Sequence, residues 1–97
     1  MINAKDAAQR SRANNEYWTN RAYTLMQENF DTIMTHYINA GESYFSIHPF
    51  LLLPEEYQKQ IAIAYVDKAI DQFVLLLRSL GYDAEYDDDS DLLFCKW

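Results

Sequence analysis

For its first forty residues the chain contains neither glycine nor proline. Nothing in that stretch interrupts a helix, because glycine and proline are the residues that cost a helix interior most. Asn3 is a good N-cap, with Asp6 three residues on in a capping-box-like position. Gly41 supplies the C-terminal stop. The second half of the span has helical periodicity: Ala22, Met26, Phe30, Ile33, Tyr37 and Ala40 step by four and three, widened by Trp18, Leu25 and Ile38. The first half offers only Ala4, Ala7 and Ala8 as a small apolar face. A continuous helix here would run roughly 55 Å at 1.5 Å per residue, longer than a domain of 97 residues is wide. Its N-terminal part is therefore expected to overhang, fray or pack on another chain.

The rest of the chain must form the body. Residues 43–48 (SYFSIH) are rich in β-formers and read as a short strand, with Phe45 and Ile47 on one face and Tyr44, Ser46 and His48 on the other. Pro49 ends it. The apolar segment PFLLLPEE turns into a second helix, with Pro54 near its first position and Glu55 and Glu56 at the positive end of the dipole. That helix is expected to run to Leu80 on a stripe of Tyr57, Ile61, Ala64, Val66, Ile70, Phe73, Leu77 and Leu80. Leu80-Gly81-Tyr82 reads as a Schellman stop, with Tyr82 folding back on the helix.

After Gly81, Tyr82, Ala84 and Tyr86 alternate with acids, giving a half-buried strand. A strand unbroken from 83 to 91 would set Asp83, Glu85, Asp87, Asp89 and Asp91 on one face. DDDSD reads instead as a turn, which leaves an acidic hairpin tip before a last strand, Leu92 to Trp97. The order is α-β-α-β-β in a single domain, residues 1–97. The expected fold class is α+β, two long helices on one face of a small antiparallel sheet. The other sheet face, or an exposed edge, is then free for association.

Charge divides the chain. Residues 1–21 carry four cations against two acids, a net of about +2, and the remainder four cations against thirteen acids, about −9. An acidic body repels nucleic acid, whose binding requires neutralising cations. Cys95 is the single cysteine, so an internal disulfide is excluded and a reducing compartment fits. The N-terminus lacks an apolar signal core, and no apolar run approaches the roughly 20 residues that span a bilayer. The expected location is the cytoplasm, and a virion component made there would read alike.

Residues for chemistry are sparse. His36 and His48 stand apart, without H-x-x-x-H, C-x-x-C or any His/Cys cluster that would hold zinc. DDDSD has calcium-like oxygen density but lacks the glycine and bidentate glutamate of an EF-hand loop. A solvated tip whose charges blunt edge aggregation is the plain reading; a functional acidic surface is the sharper one. Two glycines leave no phosphate-cradling loop. Cys95 alternates with Phe94 and Lys96 as a structural thiol would. No catalytic residue, metal or cofactor is expected.

Eight tyrosines and two tryptophans exceed what one small core buries with every hydroxyl satisfied, and these residue types concentrate at interface hot spots. Tyr17, Trp18 and Tyr23 on the overhanging helix are candidates for an oligomer interface. Tyr44 joins Asp83, Glu85, Asp87, Asp88, Asp89 and Asp91 as a candidate partner-binding surface. Acids at alternate strand positions lie about 6.5–7 Å apart, close to the step between phosphates along one nucleic-acid strand.

The opening INAKDAAQRS, the Gly41…Ser43 stop before a strand, and Leu80-Gly81-Tyr82 leading to a final strand ending Phe94-Cys95-Lys96-Trp97 resemble small accessory proteins encoded by tailed bacteriophages. The likeness spans most of the chain, which departs from that pattern in its longer helices and in PFLLLPEE. It implies a phage origin and supplies no site residues. The expectation is a small protein that binds and blocks a host protein of the defence or transcription machinery, one that itself binds nucleic acid. The alternative is a virion or assembly component that forms a homo-oligomer through its first helix. A third, weaker reading is a nucleotide or small-molecule sponge between subunits, which sparse cations and glycines disfavour.

Overall fold

A computed structural model describes all 97 residues, Met1–Trp97. Helix α1 runs from Ala4 to Asn39. Asn3 Oδ1 accepts the Asp6 N–H at 2.9 Å, the cap its side chain favours. At the far end Gly41 takes φ +78°. Its N–H reaches the Ile38 carbonyl while the Glu42 N–H reaches Tyr37, the paired bonds of a Schellman stop.

Strand β1 spans Tyr44–Ile47 and Pro49–Leu52 form a 3₁₀ turn. The expected second helix is two pieces: α2, Glu55–Gln58, and α3, Ile63–Ser79. Geometry explains the break. The buried stripe of α3 is Val66, Ala69, Ile70, Phe73, Val74 and Leu77. A helix continued backward at 3.6 residues per turn would aim Ile61 about 140° away from Val66 and Tyr57 farther still. Instead the chain turns at Lys59–Ala62, Ala62 takes extended backbone, and Ile61 enters the core at 2 % exposure. Two stripes that looked like one broad stripe are two phases. Ala64 and Leu80, assigned to the stripe from sequence, lie exposed, as does Ile63.

Helix α3 ends as α1 does. Gly81 has φ +95°, Tyr82 N–H reaches Leu77 and Gly81 N–H reaches Arg78. Strands β2 (Asp83–Asp87) and β3 (Leu92–Lys96) follow. The sheet order is β1-β3-β2, all neighbours antiparallel, so the last strand is central. Phe45 and Ala84 flank Cys95; Ser46 and Glu85 flank Phe94; Tyr44 and Asp83 flank Lys96. Inward Phe45, Ala84, Leu93 and Cys95 are buried, while Tyr44, Asp83, Glu85, Phe94 and Lys96 stand exposed on the opposite face. The fold is α+β, with two long helices on one side of a small antiparallel sheet.

The core is one cluster of 18 buried residues. Phe30 of α1 is its hub, with its ring 5.6 Å from both Phe73 and Tyr82 and 6.1 Å from Phe45, distances at which aromatic pairs attract. Tyr37 stacks on Phe45 at 5.1 Å. Met34 joins the core although the stepwise reading of α1 passes over it, and Ile38, expected to widen the stripe, is exposed. Asn29 Nδ2 donates to the Leu52 carbonyl at 2.9 Å and Arg21 to the Tyr57 hydroxyl at 3.1 Å. The connection thus travels back along α1 before α3 begins.

Burial on α1 starts only at Asn15; every residue before it is exposed. Eleven helical residues, about 16 Å, project beyond the body, and the molecule measures 58 × 24 × 23 Å. No helix is long and apolar enough to cross a membrane.

Candidate functional site

The free sheet face is built by alternation. Every second side chain of β2 and β3 points away from the helices, so Asp83, Glu85 and Asp87 form a file along one edge strand. Beside them the central strand presents Leu92, Phe94 and Lys96, and the far strand Tyr44 and Ser46. Tyr44 is 59 % exposed and Phe94 40 %. The result is an aromatic centre with carboxylates along one side, continued by Asp88 and Asp89 at the turn. Lys96 is the one cation of the face.

The turn is organised by its own acids. The Asp87 carboxylate accepts the Asp89 N–H at 3.0 Å and the Ser90 hydroxyl at 2.9 Å, so it braces the tip as well as charging it. Asp91, grouped by sequence with the other acids, goes elsewhere. It holds φ +55°, a left-handed conformation that aspartate tolerates better than most residues. Its side chain turns toward the helix layer: Oδ1 accepts from the Tyr86 hydroxyl and Oδ2 lies 3.2 Å from His48 Nδ1. That contact is the one close approach of a basic side chain to a carboxylate, and no lysine or arginine pairs with any of the fifteen acids. Burial, then the bond and charge of Asp91, push the Tyr86 phenol well above its ordinary range. Asp67 on α3 is also raised, first by desolvation and then by Asp91 and Asp88.

The three aromatics of α1 separate. Tyr17 is exposed at 57 % and meets Trp18 edge-on at 5.0 Å. Trp18 and Tyr23 pack in part against the chain's own core. Sequence reasoning brought Asp83, Glu85, Asp87 and Tyr44 to one surface, as the structure does. It missed the meeting of His48, Tyr86, Asp91 and Asp67, residues from four elements that only the fold joins. The one local signal was His48 at a strand end before proline.

No group of three or more His, Cys, Asp or Glu side chains has the geometry to hold a metal ion. No family model, no curated protein and no solved structure matches the chain.

Proposed function

We propose that this chain is a small acidic binding protein, of phage origin, that docks its free sheet face on a basic host protein of the defence or transcription machinery and blocks it there. The single observation that carries this reading is the carboxylate file Asp83, Glu85, Asp87, none of it paired with a cation, beside exposed Tyr44 and Phe94. Apolar aromatics supply contact area at the centre of an interface. Carboxylates with no cation partner within the fold are available to a partner's arginines and lysines, and a body of net charge near −9 steers such a partner in. The spacing along β2 supports occupation of a groove that otherwise holds nucleic acid. The phage origin rests on the residue pattern alone.

The test is capture of partners from a bacterial lysate by the tagged protein at low and high salt. Asp83→Asn, Glu85→Gln, Asp87→Asn, Asp88→Asn and Asp89→Asn together should weaken capture at least 100-fold and abolish its salt dependence, as loss of several charge-assisted contacts requires. Unchanged affinity would reject the mimicry.

A second reading, a homo-oligomer built on α1, is favoured by the projecting first fourteen residues. Light scattering decides it. A defined oligomer that dissociates when residues 2–12 are deleted supports this reading; a monomer in both forms rejects it.

A further inference from the structure

On the side away from the free sheet face, a cleft of about 240 Å³ lies where the end of β1, the 3₁₀ turn, the start of α3 and the β2–β3 turn meet. Its apolar walls include Leu51 and Ile63, respectively 53 % and 59 % exposed, over a floor of buried Val66. Its polar rim is His48, Asp67 and Asp91. No lysine or arginine lines it.

The rim is pre-arranged. Both carboxylate oxygens of Asp91 are engaged, one by Tyr86 and one by His48. Asp67 has no hydrogen-bond or ion-pair partner within the protein, and it lies near enough to Asp91 and Asp88 to feel their charge. The cleft therefore offers a free carboxylate beside an apolar wall. An ammonium carries three donors and no acceptor. It would pair with Asp67 and relieve the repulsion between Asp67 and the turn. An anion would meet two carboxylates, and a neutral alcohol would leave Asp67 uncompensated.

We propose that this cleft is a binding site for a primary ammonium group carried on a compact apolar body, either a free aralkylamine or the side chain of a lysine flanked by apolar residues. The Asp67 carboxylate receives the ammonium and Leu51 and Ile63 cover the apolar part. The site is separate from the free sheet face and does not depend on the function proposed for it.

Amide chemical-shift titration of the full chain at low ionic strength tests this with three probes of one shape: 2-phenylethylamine, 2-phenylethanol and 3-phenylpropionate. The amine should shift the amides of residues 48, 50, 51, 63–67 and 91 in a saturable way. It should bind about 10- to 100-fold more tightly than the alcohol, the range of one charge-assisted hydrogen bond; the carboxylate should not bind. Asp67→Asn, an exposed change that leaves the core untouched, should bring the amine down to the alcohol's affinity and leave the alcohol unchanged. A capped Leu-Lys-Leu peptide separates the two sources. Saturation by the peptide but not by the free amine assigns the site to a partner's lysine, and the reverse assigns it to a small amine. Equal binding of amine and alcohol, amine shifts confined to Asp83–Asp89, or no shifts with either amine probe would overturn the proposal.

Discussion

Cys95 sits at the centre of the middle strand, paired with Phe45 on one side and Ala84 on the other, and is 1 % exposed. Burial, with a smaller contribution from Asp83, pushes its thiol up to about 11. Only the thiolate is nucleophilic. At pH 8 it should therefore react with an aromatic disulfide reagent about two orders of magnitude more slowly than a free cysteine, and reach the free rate in denaturant; fast reaction in the native state would contradict this burial. The same shift has a stability consequence of definite sign. The folded state holds the thiol proton more tightly than the unfolded chain, so this contribution is complete below the ordinary thiol range and is lost as pH rises from 9 to about 11. Thermal melts of Cys95→Ala should lack that alkaline component. The alternation of residues 92–97 placed Cys95 on a face opposite Phe94, but which face meets the helices was decided by α1 and α3.

At the scale of elements, the chain's ends of helices were the most readable features. Asn3, Gly41 and Gly81 each do locally what their residue types favour, because caps depend on three or four neighbouring residues. The break at Lys59–Ala62 was not readable, since Tyr57, Ile61, Ile63 and Val66 are all apolar and only the positions of α1 and the sheet select which of them are buried. The overhang of α1 follows from the same logic. Residues 4–14 hold to helix only through backbone bonds and the Asn3 cap, without tertiary packing. Deleting residues 2–12 should leave the melting temperature of a monomer within about 2–4 °C of the full chain, the range of surface changes in a domain this size. Amide exchange should be fast through Asn14 and slow from Ala22 onward. A large loss of stability would mean that the arm is covered in solution, as the oligomeric reading requires.

Across the whole molecule the acids dominate. With a formal net charge of −7 and no Lys or Arg paired to a carboxylate, long-range repulsion is uncompensated in the folded state. Raising sodium chloride from 10 to 150 mM shortens the screening length from about 30 to 8 Å. The melting temperature should rise accordingly, by about 4–8 °C for each kcal/mol of repulsion relieved, and the quintuple neutralised variant should show a smaller rise. A melting temperature that falls with salt would mean that attractive pairs outweigh repulsion. The length of α1, the stop signals, the hairpin and the exposed acidic file of Asp83, Glu85 and Asp87 were set by the amino-acid sequence on its own, since each depends on neighbours within a few positions. The order β1-β3-β2, the phase of α3 and the meeting of His48, Tyr86, Asp91 and Asp67 were decided only by the tertiary structure. They join residues up to fifty-two positions apart, Tyr44 to Lys96, and no local pattern constrains such pairs until the core has chosen which apolar faces to bury.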